Sequence, residues 1–190
     1  MATKIELIST DYLKSNTAIS GNVDVDNLKP FISQAQDIYI QELLGSALYN
    51  QILDEVELSG NSVSATTASL LALIAPCLAF YTLSLALPFQ LIQIKNKGLV
   101  KNSNPATGAA SAELREMTYL VENTNNTAEF YGQRIVKYLC NHSEDYPAYS
   151  NQGSDPDIYP TNNSYKGGFG GFYSSQNNID ADALRKWLGI

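Results

Sequence analysis

One uncharged stretch constrains this chain more than any other feature. No Asp, Glu, Lys, Arg or His lies between Leu58 and Ile94, and within it residues 66–94 carry leucine, isoleucine and aromatic residues at every position around a helix. A helix that is apolar on every side must be buried on every side, in a protein core or in lipid. The stretch therefore predicts either the central helix of a bundle or a membrane span.

Charge and length narrow the class of protein. A chain of 190 residues suits one domain with extensions. Its net charge of −7 argues against a protein that coats nucleic acid, because such a protein needs clustered Lys and Arg. Only the segment 66–110 is net positive, and its three cations are Lys95, Lys97 and Lys101. We expect these lysines to lie in a channel-facing or inter-subunit loop if the chain forms a ring, and in a solvated hairpin if it does not.

The apolar periodicity predicts a mainly α protein, a bundle of about four helices over residues 26–147. Residues 1–25 are a lead-in that can pair with an edge or pack on a helix. A first helix runs over residues 28–43 to Gly45, and a second, shorter one follows over residues 44–56. The third is the uncharged helix, from Thr66 to about Leu87, which we expect the two prolines 76 and 88 to kink or end locally.

The connection after Pro88 has a different pattern. Short apolar runs on either side of Asn96 to Gly98 predict a β-hairpin or a protruding loop near residues 91–101. A fourth helix then follows over residues 114–138, with apolar residues stepping by three and four. A row of apolar residues with this spacing is typical of a helix that faces the core of a bundle.

The composition changes again after Pro147. Residues 148–178 are rich in Asn, Ser, Gly, Tyr and Pro, and predict an extended tail that cannot bury enough apolar surface to order itself. Residues 179–190 predict a short amphipathic helix that docks on a partner or folds back on its own bundle. The docking residues are predicted to be Phe169, Phe172, Leu184, Trp187 and Leu188.

A search for catalytic or metal-binding patterns identifies none, so we do not expect an enzyme or a cofactor. His142 is a single histidine at a helix end, where capping of carbonyls is the usual role. Cys77 and Cys140 are predicted to be buried free thiols. The carboxylates Asp54, Glu55 and Glu57 are predicted to form a solvated face.

The order and spacing of these elements resemble a known family. Residues 30–49, the long apolar helix, the Asn96-Lys97-Gly98 turn and the helix ending at residues 128–139 resemble tailed-bacteriophage head-to-tail connector proteins. The resemblance covers about residues 26–147 and is closest to the portal-proximal ring proteins of crAss-like phages.

The resemblance implies a structural virion protein at the head–tail junction. It implies a homo-oligomeric ring, usually twelve-fold, below the portal protein. Such a ring extends the channel through which double-stranded DNA passes, without reading its sequence, and gives further tail or ring proteins an attachment surface. The remaining alternatives are a small membrane protein with one span over residues 70–94, acting as a lysis or anchoring factor, and a soluble adaptor or enzyme.

Overall fold

Seven α-helices and one pair of strands make up the part of the chain that the structure describes. The structure is a computed structural model that describes residues 5–19, 23–59, 63–95, 98–101, 114–153 and 156–160. The elements are α1 Thr10–Asn16, α2 Lys29–Ala35, α3 Gln41–Leu44, α4 Ser46–Ser59, α5 Ala65–Leu91, β1 Ile92–Lys95, β2 Gly98–Lys101, α6 Leu114–Asn141 and α7 Pro147–Ser150. A π-helical turn, Gln36–Ile40, joins α2 to α3, so residues 29–44 form one nearly continuous helix. The predicted mainly α bundle with about four principal helices is confirmed.

The uncharged stretch forms α5, and α5 is the centre of the bundle. Within the fully described span from Leu73 to Pro88 no residue is exposed, and Leu70, Ile74 and Leu78 are completely buried. Burial on this scale contributes roughly 1.5–3 kcal/mol for each large side chain. The neighbouring helices of the same chain therefore cover much of α5, although several of its side chains stay partly accessible.

Two helices antiparallel to α5, namely α6 and the α2–α3 helix, provide most of the contacts that cover it. Along α6, the Cys77 thiol donates a hydrogen bond to the Ala128 carbonyl at 3.5 Å, and Phe80 stacks on Tyr131 with ring centroids 5.7 Å apart. Along the α2–α3 helix, two further aromatic contacts hold the pair together. These are Phe31 with Phe89 and Tyr39 with Tyr81.

Both prolines lie inside α5, which continues past them to Leu91. Of the two effects predicted for these prolines, a kink or a local end of the helix, the local end is wrong. A proline removes one N–H and leaves the carbonyl four residues earlier without its donor. For Pro76 that carbonyl belongs to Ala72, which is exposed. Water can therefore replace the missing bond there.

The N-terminal segment contains a helix that the sequence analysis did not predict. Ser9 caps α1, since its hydroxyl accepts a hydrogen bond from the Tyr12 amide. Leu13 of this short helix is completely buried against the bundle. A seven-residue helix shows too little apolar periodicity to stand out, and packing on the bundle stabilises it.

The start of the predicted tail is ordered, which corrects the expectation for residues 148–160. Tyr149 is 95% buried, and Ile158 exchanges two hydrogen bonds with Ser46 at 2.9 Å each. Gln152 Oε1 accepts a hydrogen bond from the Ala47 amide at 3.0 Å. These groups satisfy amides at the N-terminus of α4, which have no partner inside their own helix. Residues 147–160 therefore belong, as far as they are described, to the bundle.

The connection after α5 forms a hairpin, one of the two predicted forms. Strands β1 and β2 are antiparallel, with Ile92 opposite Lys101 and Lys95 opposite Gly98. The ladder has four residue pairs and begins directly at the end of α5.

Candidate interaction surfaces

The hairpin separates the predicted lysines along its ladder. Lys101 pairs with Ile92 at the end nearest α5, and Lys95 pairs with Gly98 next to the turn. Three register steps lie between them, which is roughly 10 Å at the rise of a strand. Lys97 lies outside the described residues. The backbone therefore distributes the basic residues from the base of the hairpin to its tip.

The predicted docking residues of the tail, Phe169, Phe172, Leu184, Trp187 and Leu188, lie outside the described residues. The described chain ends at Pro160, which lies beside Gly45 at the junction of α3 and α4. The tail therefore starts from this end of the bundle.

An acidic notch lies between the α2–α3 helix, α5 and α6. We define it by Tyr39, Glu42, Tyr81 and Glu129, around a cavity of about 290 Å³. Tyr39 and Tyr81 stack face to face with ring centroids 3.9 Å apart. Burial and, less strongly, the nearby Cys77 and Glu129 raise the pKa of the Tyr81 hydroxyl, so it stays neutral. Two carboxylates beside aromatic rings suit a cationic side chain.

An apolar groove lies at the opposite end of the bundle from Pro160. It has a volume of about 480 Å³ and runs between residues 18, 19, 23 and 28, the second half of α5 and the first half of α6. Its lining is Ala18, Ile19, Val23, Leu28, Phe80, Leu83, Ala86, Leu87, Gln90, Leu120, Asn123, Thr124 and Thr127. None of these residues is charged. Leu120 on its rim is 48% exposed.

Large apolar residues are also exposed elsewhere on α6. Tyr119 is 69% exposed and Phe130 is 64% exposed. Exposed apolar residues that cluster on one element are typical of a surface that contacts a partner, whereas single ones are ordinary. Neither the notch nor the groove is predictable from local sequence patterns, because the residues of each come from three or more separate segments.

The two cysteines are free, but only one is buried. Cys77 is enclosed between α5 and α6, and burial raises the pKa of its thiol to about 12. Cys140 is exposed, so the prediction of two buried thiols is wrong for this residue. Cys140 falls on the outward side of α6, one position after the buried Leu139.

Two of the polar residues singled out in the sequence, His142 and Glu55, make structural contacts. His142 Nδ1 lies 2.9 Å from the Tyr138 carbonyl, which confirms the predicted cap at the end of α6. Asp54 and Glu57 are exposed, as predicted, but Glu55 accepts hydrogen bonds from the Ser64 amide and the Thr67 hydroxyl. These bonds lower the pKa of Glu55 and join α4 to the start of α5.

No group of three or more His, Cys, Asp or Glu side chains suited to a metal ion occurs among the described residues. The fold and these surfaces define a small helical-bundle protein with a basic hairpin at one end of its central helix. Residues 40–157 match the model of a family of unknown function, DUF6712, and the chain belongs to this family. The match extends from α3 through α7. No curated protein and no solved structure matches the chain.

Proposed function

We propose that this chain is a subunit of a head-to-tail connector in a tailed-bacteriophage virion. The subunits form a ring below the portal protein, extend the DNA channel and provide the surface to which tail or further ring proteins attach. The resemblance over residues 26–147 is the origin of this proposal.

One observation supports the proposal best. The chain has a net charge of −7, and the three cations of its only net-positive segment fall within residues 95–101. Two of them, Lys95 and Lys101, lie on the strands of the hairpin at the end of the central helix. In a ring, every subunit places the same hairpin at the same radius, so three lysines per chain become a continuous basic zone. Such a zone attracts a passing DNA duplex through its phosphates without reading bases.

The carboxylates of the notch add support of a different kind. Glu42 and Glu129 give the outer surface of the bundle an acidic site, while the hairpin is basic. Neighbouring subunits of a ring contact each other through two different surfaces, and opposite charges on those surfaces favour the contact.

The test is the assembly state of the full chain, alone and mixed with the portal protein of the same phage. Light scattering and electron microscopy should reveal a large cyclic species in the presence of portal. A strictly monomeric mass both with and without portal would contradict the proposal.

A membrane role is the second candidate, because one observation favours it. Over Ala65–Gln90, α5 is long and apolar enough to cross a bilayer, with a mean hydropathy of 2.2, although 56% of its apolar window is buried inside the bundle. The helix ends at Leu91, before the end of the predicted span 70–94. Recovery of the protein in the membrane pellet, with extraction only by detergent, would favour this candidate over the connector.

A further inference from the structure

We infer that the apolar groove is the docking site of the chain's own residues 179–190, which insert the apolar face containing Trp187. The inference is independent of the connector proposal, since it concerns one chain and its own tail. Three observations carry it: the chemistry of the groove, the half-exposed leucine on its rim, and the length of chain between Pro160 and Ile179.

The chemistry of the two surfaces matches. The groove is lined by nine apolar residues and four uncharged polar ones, and by no charged residue. In residues 179–190 the apolar side chains recur at helical spacing, with the charged residues mostly on the opposite side. These apolar residues are Ile179, Ala183, Leu184, Trp187 and Leu188. An amphipathic helix of this kind binds through its apolar face in an apolar groove.

The groove presents apolar surface that nothing in the described residues covers. Leu120 remains 48% exposed, although it adjoins Thr124, a residue that is more than nine-tenths buried. Phe89, near the same end of α5, is 50% exposed. Removing such apolar surface from water favours docking.

The tail has the right length to reach the groove in its own chain. Pro160 lies beside Leu139, and the groove is centred near Thr124 on the same helix. At the rise of an α-helix these positions are roughly 22 Å apart. A Gly- and Ser-rich segment as long as residues 161–178 has a root-mean-square span of roughly 21–25 Å. A linker whose span matches the separation gives its maximal effective concentration, which lies in the millimolar range.

Docking in the groove and docking on a partner exclude each other for the same helix. The free chain would therefore keep Trp187 covered, and a partner protein would have to displace the helix before binding it. Residues 179–190 would therefore occupy the groove in the free chain and contact the partner only in the complex.

Trp187 provides a direct test because it is the only tryptophan of the chain. In the full-length protein we expect a blue-shifted emission and slow quenching by acrylamide, both independent of protein concentration. Leu120→Asp should shift the emission to that of a water-exposed indole and raise the quenching constant several-fold. Thr127→Arg, which fills the groove without removing an apolar residue, should do the same.

Phe130→Asp is the matched control. Phe130 lies on the same helix and is 64% exposed, but it does not line the groove. This variant should keep the emission of the unmodified protein. Circular dichroism of all three variants distinguishes a released tail from an unfolded bundle.

A mixing experiment identifies the chain that supplies the tail. Leu120→Asp protein retains Trp187 but lacks a working groove, and Trp187→Phe protein has an intact groove without the fluorophore. If each tail docks on its own bundle, mixing the two leaves the emission unchanged. Restoration of the blue shift on mixing would overturn the inference in favour of docking on a second copy.

A water-like emission in the unmodified protein, unaffected by Leu120→Asp, would overturn docking altogether. Either failure leaves the connector proposal standing, because that proposal is tested by assembly with portal.

Discussion

Gln36 donates a hydrogen bond from Nε2 to the Tyr49 hydroxyl at 3.0 Å, inside the core. The same amide donates to the Ile5 carbonyl and accepts from the Leu7 amide, each at 3.0 Å. One completely buried side chain thus connects the N-terminal segment, the π-helical turn and α4.

Replacing Gln36 by Leu should destabilise the protein strongly. The change leaves partly buried backbone groups of residues 5 and 7 without their side-chain partner, at a cost of up to about 1–3 kcal/mol each. We expect the midpoint of thermal unfolding to fall by roughly 5 °C or more. Gln51→Leu, at an exposed position of α4, is the control and should leave the midpoint nearly unchanged. Equal midpoints for both variants would contradict the role of Gln36.

Any side chain at Gly45 should destabilise the fold, for two reasons that can be tested separately. Its φ of +75° favours glycine, and a Cβ would approach the Gln152 side chain and Pro160 within 2.6–2.7 Å. Gly153 has a similar φ of +82° with open space around it. Gly45→Ala should therefore lower the free energy of unfolding by about 2–4 kcal/mol, and Gly153→Ala by only about 1 kcal/mol. Chemical denaturation measures both, and an equal loss would show that φ alone is responsible.

Glu55 should make the junction of α4 and α5 sensitive to acid. Its pKa in the folded chain is lowered from 4.5 by the hydrogen bonds from Thr67 and Ser64. A lowered pKa means that the contribution to stability is present above the unfolded value, near 4.5, and is lost as the pH falls through the folded value. Glu55→Gln should reduce this acid-dependent loss, which a series of thermal melts between neutral pH and pH ~3 would reveal. Glu57→Gln, at an exposed neighbour, should preserve the slope of the parent protein.

The two thiols should differ sharply in reactivity. Cys140 is exposed, whereas Cys77 is buried and its pKa is raised to about 12, so little thiolate forms at neutral pH. A maleimide added to the native protein should label one site per chain, identified by mass spectrometry as Cys140. After denaturant is added, Cys77 should become accessible and react as well. Rapid labelling of Cys77 in native buffer would indicate that α5 and α6 separate readily.

The hairpin lysines should matter for assembly or DNA passage more than for folding. Replacing Lys95, Lys97 and Lys101 by Gln removes every positive charge from the segment 66–110 while keeping an uncharged polar side chain at each position. We expect an unchanged melting midpoint but impaired ring contacts or DNA delivery in reconstituted particles. Replacing Arg115, Arg134 and Lys137 on α6 by Gln provides a control with the same loss of charge. A large loss of thermal stability in the hairpin variant would show instead that the three lysines are structural.

Much of the bundle was predictable because its signals are local. The uncharged run predicted a helix that must be buried on every side, and the apolar periodicity from Leu114 to Tyr138 predicted a helix able to cover part of it. Gly45 predicted a helix end because a positive φ favours glycine. The Asn96-to-Gly98 turn predicted a hairpin as one of two forms. Each of these inferences uses residues within a few turns of one another.

Contacts between residues that are far apart in the chain could be identified only in the folded structure. Nothing in the local pattern of Gln152 indicates that it caps α4 through Ala47, 105 positions away. The exposure of Cys140, the pairing of Tyr39 with Tyr81 and the uncharged lining of the groove likewise depend on how separate helices are placed. The uncharged, apolar composition of α5 already required that this helix be buried, because such a helix is unstable in water. Only the folded chain decided that its own helices enclose it, since burial depends on the space between elements and periodicity reports one element at a time.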